Sequence, residues 1–171
     1  MKKLSSLIIA LFVFGIGTAF GQVGANADVE VSAEVNAALT LTPTNIQFGT
    51  IQANTASYIP ANTSDGTAES NTGTSASAGA LLIEGTDGTD VTVSWTNATL
   101  TDGGGNSATF TPVVYLNTTE VTNGADDVTI VTGGTNLEIG GSLDAIANTG
   151  SYSTANGGGS PVTFTVQYTS I

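Results

Sequence analysis

Cysteine and histidine are absent from the chain, and its only basic residues are Lys2 and Lys3. Without cysteine there is no disulfide framework and no thiolate for zinc or redox chemistry. Without histidine, and with no lysine or arginine beyond residue 3, the chain lacks an imidazole base, a Schiff-base amine and a cationic clamp for an oxyanion. Glycoside hydrolysis needs only a suitably spaced pair of carboxylates, but no pair among the fourteen acids is marked out by spacing or context. The chain therefore reads as a non-enzyme with no cofactor.

Long apolar runs are also scarce. The one that exists, Leu7 to Phe20, follows Lys2 and Lys3 and ends at the small residues around Ala19-Phe20-Gly21. This is the layout of an export signal, with a positive start, a short apolar middle and a small-residue exit. Residues 1–21 are expected to be removed, with cleavage before Gln22; a second small-residue site, Ala25-Asn26-Ala27, would start the mature chain at Asp28. Residues 22–171 then form a single domain. Losing both lysines takes the formal charge from −12 to −14. A chain with acids and no bases cannot neutralise phosphate, which excludes nucleic acid and anionic membrane surfaces as partners. It also has no internal salt bridges, so its fold must rest on apolar burial and backbone hydrogen bonds.

What is present is alternation. In Asp28 to Thr42, DVEVSAEVNAALTLT, Val29, Val31, Ala33, Val35, Ala37, Leu39 and Leu41 fall on one side and mostly polar residues on the other. Side chains alternate faces along a strand, so this run predicts a strand with one dry face. Downstream, Ile46–Ile51, Ala80–Glu84, Val91–Trp95, Ala108–Leu116, Val128–Val131, Leu137–Ile139 and Pro161–Tyr168 are β-rich runs, separated by Gly, Asn, Thr and Asp clusters. The pattern predicts an all-β, immunoglobulin-like sandwich of about seven to ten antiparallel strands. Ala80–Glu84 and Val91–Trp95 are expected to pair as a hairpin, and Pro112 to mark an edge or a bulge. Residues 52–79 have little to bury and predict a long exposed loop. Trp95, the only tryptophan, is expected in the core.

Glu84, Asp87 and Asp90, and the pair Asp126-Asp127, place carboxylates on loops in the way that calcium sites do, yet neither group has EF-hand spacing. Their plainer role is to keep an exported protein soluble, and no metal is assigned. Gly103–Gly105 and Gly157–Gly159 lack the lysine of a phosphate loop and read as turns. Asn62, Asn97 and Asn117 each open an Asn-x-Thr/Ser triplet, which arises readily in a chain so rich in Asn and Thr.

Four stretches together carry a resemblance. They are the opening strand running into LTPTNIQFGTI, the segment Gly79–Gly88, the glycine pair ahead of Leu137-Glu138-Ile139-Gly140, and Thr149-Gly150-Ser151-Tyr152 followed by VTFTVQY. The combination resembles the bacterial domain of unknown function 4402, exported immunoglobulin-like sandwiches that look like distant relatives of pilin and spore-coat subunits. The resemblance spans about Asp28 to Tyr168 and implies no catalytic residues. It implies a secreted, cell-surface structural protein whose partners are copies of itself or other envelope proteins, met through sheet edges. Val29, Val31, Val35, Leu39 and Leu41 are the expected contact residues, whether the opening strand is donated to a neighbour or is the domain's own first strand. The alternative is a secreted ligand-binding module, for carbohydrate and with calcium in the acidic loops.

Overall fold

The computed structural model describes residue 33, residues 35–125 and residues 127–169. Residues 1–21, where the export signal is expected, and Val29, Val31 and Asp126 lie outside the described residues. Among the described residues there is no helix, and ten strands form two antiparallel sheets. The strands are β1 (Thr40–Thr44), β2 (Ser57–Ile59), β3 (Gly79–Glu84), β4 (Asp90–Trp95), β5 (Ala98–Thr101), β6 (Ser107–Leu116), β7 (Thr119–Glu120), β8 (Asp127–Thr129), β9 (Thr135–Leu143) and β10 (Phe164–Tyr168). The larger sheet runs β1-β3-β9-β6-β5, with β2 also on β9 and β7 also on β6; the smaller runs β10-β4-β8. This is the all-β sandwich that the alternation predicts.

Period-two patterning builds the core. Leu81 and Ile83 of β3, Val114 of β6 and Leu137 and Ile139 of β9 meet Val91 and Val93 of β4 and Val128 of β8. All are buried, and burying each such side chain contributes about 1.5–3 kcal/mol. A second cluster around Ala98, Ala108, Phe110, Leu143 and Ile146 gathers Ile46, Phe48, Tyr152 and Val162 at its border. Trp95 is half-buried, tilted against Phe164 at 6.0 Å between ring centroids.

The structure corrects several expectations. Ala80–Glu84 and Val91–Trp95 do not form a hairpin: β3 pairs with β1 and β9, and β4 with β8 and β10. Their apolar residues therefore face each other across the core, and the five-residue connection arches between sheets. Pro112 lies in an interior strand. The Asp144 N–H bonds Thr109 O at 3.0 Å in the β6–β9 register, so alternation turns the Pro112 nitrogen to the opposite side, between the stretches covered by β5 and β7. No ladder bond is lost there.

Residues 52–79 are pinned rather than loose. β2 pairs with β9 and Tyr58 bridges Ser70, while Ile59 and Ala61 are buried. A Cβ on Gly140 would collide with Ala61 N and Ile59 O, so glycine is what lets this crossing approach. Tyr58 donates to both oxygens of Asp65 at 2.8 and 2.9 Å. Burial first, and then that bond, push its phenol up to about 12.

The opening strand is the largest correction. Only Thr40–Thr44 is strand among its described residues, and it is exposed along its whole length. Among the described residues the smaller sheet ends at β10 and no strand lies opposite β1, so Leu41 of the expected dry face is left uncovered, while Leu39 before it packs on the core.

Candidate functional site

Register identifies where the sandwich is incomplete. Thr163 O accepts from the Thr96 N–H at 3.2 Å, and the Thr169 N–H donates to Asp90 O at 3.1 Å. Odd-numbered residues of β10 thus bond to β4, and alternation turns the backbone groups of Phe164, Val166 and Tyr168 outward. No strand meets them among the described residues. Across the gap, Gln47 and Ser77 exchange two bonds of 3.0 and 2.8 Å in the same register as β1 with β3. Within β1, Pro43 has no N–H to give Leu81, so Thr40, Thr42 and Thr44 carry the bonds to β3 and the backbone groups of Leu41 and Pro43 turn outward. Two unpaired strand edges therefore border one seam.

Side-chain burial agrees. Phe164, Val166 and Tyr168 point toward the core yet are only half-buried, whereas their neighbours Val91 and Val93 are fully buried. Leu41, opposite the fully buried Ile83, keeps 37% of its surface exposed.

The seam opens at one end into a cleft of about 460 Å³. Pro43–Phe48 form one wall, Ser153–Ala155 with Pro161, Val162 and Phe164 the other, and Ala98, Leu100 and Phe110 lie between them. None of the eighteen lining residues is charged, in a chain with fourteen acids. Phe48 meets Phe110 edge to face at 5.8 Å, a favourable aromatic geometry. The 153–160 wall is held to β5 by bridges from Ser153 to Thr101 and from Ser160 to Thr99. The Asn156 side-chain amide also donates to Thr101 O at 2.6 Å. Next to it, Asp102 accepts from the Asn106 side-chain amide at 2.6 Å and the Gly104 N–H at 2.7 Å. These bonds, the Asn106 one foremost, hold its carboxyl below the usual range. Partial burial, and then the Asp102 charge, push the Tyr152 phenol up.

At its other end the seam is shut. The Tyr168 hydroxyl accepts from the Thr86 N–H at 3.0 Å and donates to Ala37 O at 2.7 Å, and the Ala37 N–H donates to Thr86 Oγ1 at 2.6 Å. Register places this contact and the cleft at opposite ends of the sandwich: Thr40 faces Glu84 while Thr44 faces Ala80, and Tyr168 faces Val91 while Phe164 faces Trp95.

Of the predicted contact residues, Val35 stands 89% exposed, Leu41 lines the uncovered face of β1, and Leu39 packs against the main core. The structure does not bring these three together as one continuous strand face. Asp90 is bonded by Thr129 and Asp87 by Thr132; among the described residues no group of three or more acids could hold a metal ion. The cleft residues Phe48, Tyr152 and Val162 were not separable in the sequence from ordinary core positions. Their signal is a shortfall of burial, which periodicity does not encode. No protein-family model matches the chain, and no curated protein or solved structure does.

Proposed function

We propose that the chain is an exported cell-surface structural subunit that works without catalysis, through strand contacts with copies of itself or with other envelope proteins. The observation that carries this reading is the uncharged apolar cleft between two unpaired strand edges. Edges of that kind are templates for strand addition, and proteins that do not use them blunt them with charge or cover. The alternating run from Asp28 is the segment suited to add there, since its alternation separates Val29 and Val31 from Asp28 and Glu30. The described chain begins at the end opposite the cleft, so a donated segment would join copies head to tail, the contact type that builds open filaments. The resemblance to the domain of unknown function 4402 belongs to this reading.

Negative-stain microscopy of material sheared from the producing cells tests it, with boiled and unboiled samples compared on an SDS gel. Filaments, and a ladder that collapses on boiling, are expected. Deleting residues 22–35 is expected to abolish the ladder while leaving a folded monomer. Monomer alone in the intact chain overturns the reading.

A second reading, a secreted ligand-binding module, is favoured by the cleft's size, which falls in the range of small-molecule sites. It predicts that soluble sugars quench or shift the fluorescence of Trp95, which packs on the cleft residue Phe164. It further predicts that calcium strengthens binding more than magnesium does. Equal ion responses indicate screening alone.

A further inference from the structure

We infer that the Ala37–Thr86–Tyr168 contact is a mechanical anchor, which fixes where the amino-terminal segment leaves the domain and passes tension on that segment into both sheets. The inference rests on the assembly reading above for its purpose, and on geometry for its substance.

Ala37 has both backbone groups engaged, its N–H on Thr86 Oγ1 and its C=O on the Tyr168 hydroxyl. That hydroxyl also accepts from the Thr86 N–H. Thr86 belongs to the connection leaving β3 of the larger sheet, and Tyr168 ends β10 of the smaller one. A single phenol oxygen thus ties the leading segment to both layers. An apolar plug sits beside it. Leu39 packs on the main core, and a Cβ at Gly85 would stand 2.6 Å from the Tyr168 hydroxyl and 2.9 Å from both Leu39 Cδ2 and Ile130 Cδ1. Glycine is required for the tyrosine and the leucine to share that notch. Val35, two residues before the anchor, is 89% exposed, so the hold begins sharply at Ala37.

The bonds between β1 and β3 lie across the strands. With Ala37 fixed, a pull along the segment loads those bonds in shear, together with the anchor. With Ala37 free, β1 can peel from its Thr40 end one pair at a time. The phenol and Gly85 are therefore positioning residues for the ladder behind them.

The cysteine-free sequence supplies the test, because two introduced cysteines are the only handles. Val35→Cys and Ala155→Cys, both at exposed positions, let the mature domain be stretched from its leading segment to its cleft wall. The anchored domain is expected to yield in one event. Tyr168→Phe, which removes only the shared hydroxyl, is expected to add an early lengthening at lower force. It should also speed amide exchange at Ala37 and Thr86 by about three- to tenfold or more, since the hydroxyl's two hydrogen bonds, to the Thr86 N–H and to Ala37 O, are both lost. Gly85→Ala keeps the hydroxyl but displaces it, and is expected to give the same early event even if Tyr168→Phe folds poorly. Tyr152→Phe, a phenol removed at the far end, should change neither readout. Unchanged rupture force and unchanged exchange in both Tyr168→Phe and Gly85→Ala overturn the anchor. A chain that forms no filament yet shows the early event in these variants overturns the assembly reading alone.

Discussion

The two edges of the smaller sheet are finished in opposite ways. On the β8 side, β4 is covered along its whole length: β8 pairs with Asp90–Thr92, Gly124 donates to Val93 O at 2.9 Å, and the Asn123 side chain takes both backbone groups of Trp95 at 3.0 and 2.9 Å. Asp127 adds a charge to that border. On the β10 side the outward positions are Thr165 and Gln167, no acid is present, and the backbone faces an open seam. Charge and side-chain caps are common means of blunting an edge. Their presence on one border and absence on the other leave the second border open to a further strand, which is the feature the assembly proposal uses.

Giving the open border the charge of the closed one should have the largest effect. Thr44 and Gln47 line the cleft and are exposed, so Thr44→Asp with Gln47→Glu should change monomer stability by no more than about 0.5 kcal/mol per site. Assembly, read as the boiling-sensitive gel ladder, should disappear. A double variant that still assembles would show that the seam is not the contact.

The converse change uncaps the closed border. Asn123→Ala leaves the Trp95 N–H and C=O without their partner, and losing exposed bonds of this kind costs about 0.5–1.5 kcal/mol. The urea midpoint should fall accordingly, with a new tendency to dimerise through β4. A midpoint equal to wild type would mean that water replaces the amide at no cost and that the border was never closed by it.

How far these borders were legible in advance differs with the kind of information. β3, β4, β9 and β10 follow from alternation, because Leu81, Ile83, Val91, Val93, Leu137 and Ile139 are buried as their period predicts. Pairing was less legible. The five-residue link between Glu84 and Asp90 suits a hairpin and an arch alike, and only the need to bury β3 against β4 across the core decides between them. The opening strand misled for a related reason. Alternation states that a run can have a dry face, but whether anything covers it depends on how many strands the opposite sheet supplies. The cleft was invisible on the same grounds, since Phe48, Tyr152 and Val162 look like core residues until the missing neighbour is seen.

The smallest expected effect concerns pH, and it separates the cleft from the rest of the acidic surface. Screening or neutralising fourteen acids with no base among them relieves self-repulsion, so acidification from neutrality toward about pH 5, like added salt, should favour assembly modestly. Asp102 opposes this at lower pH. Its folded pKa is depressed, chiefly by the Asn106 amide, so its contribution is present above the unfolded value near 4 and is lost as pH falls through the folded value. Below about pH 4 the turn from Asp102 to Asn106 should therefore loosen, and with it the wall that Asn156 ties to Thr101. Assembly should rise and then fall as pH drops, and Asp102→Asn, which keeps the turn's acceptor oxygen without its titration, should weaken the falling limb. Light scattering across the pH range checks this. A monotonic rise in the intact chain would mean that the cleft wall does not depend on the Asp102 charge.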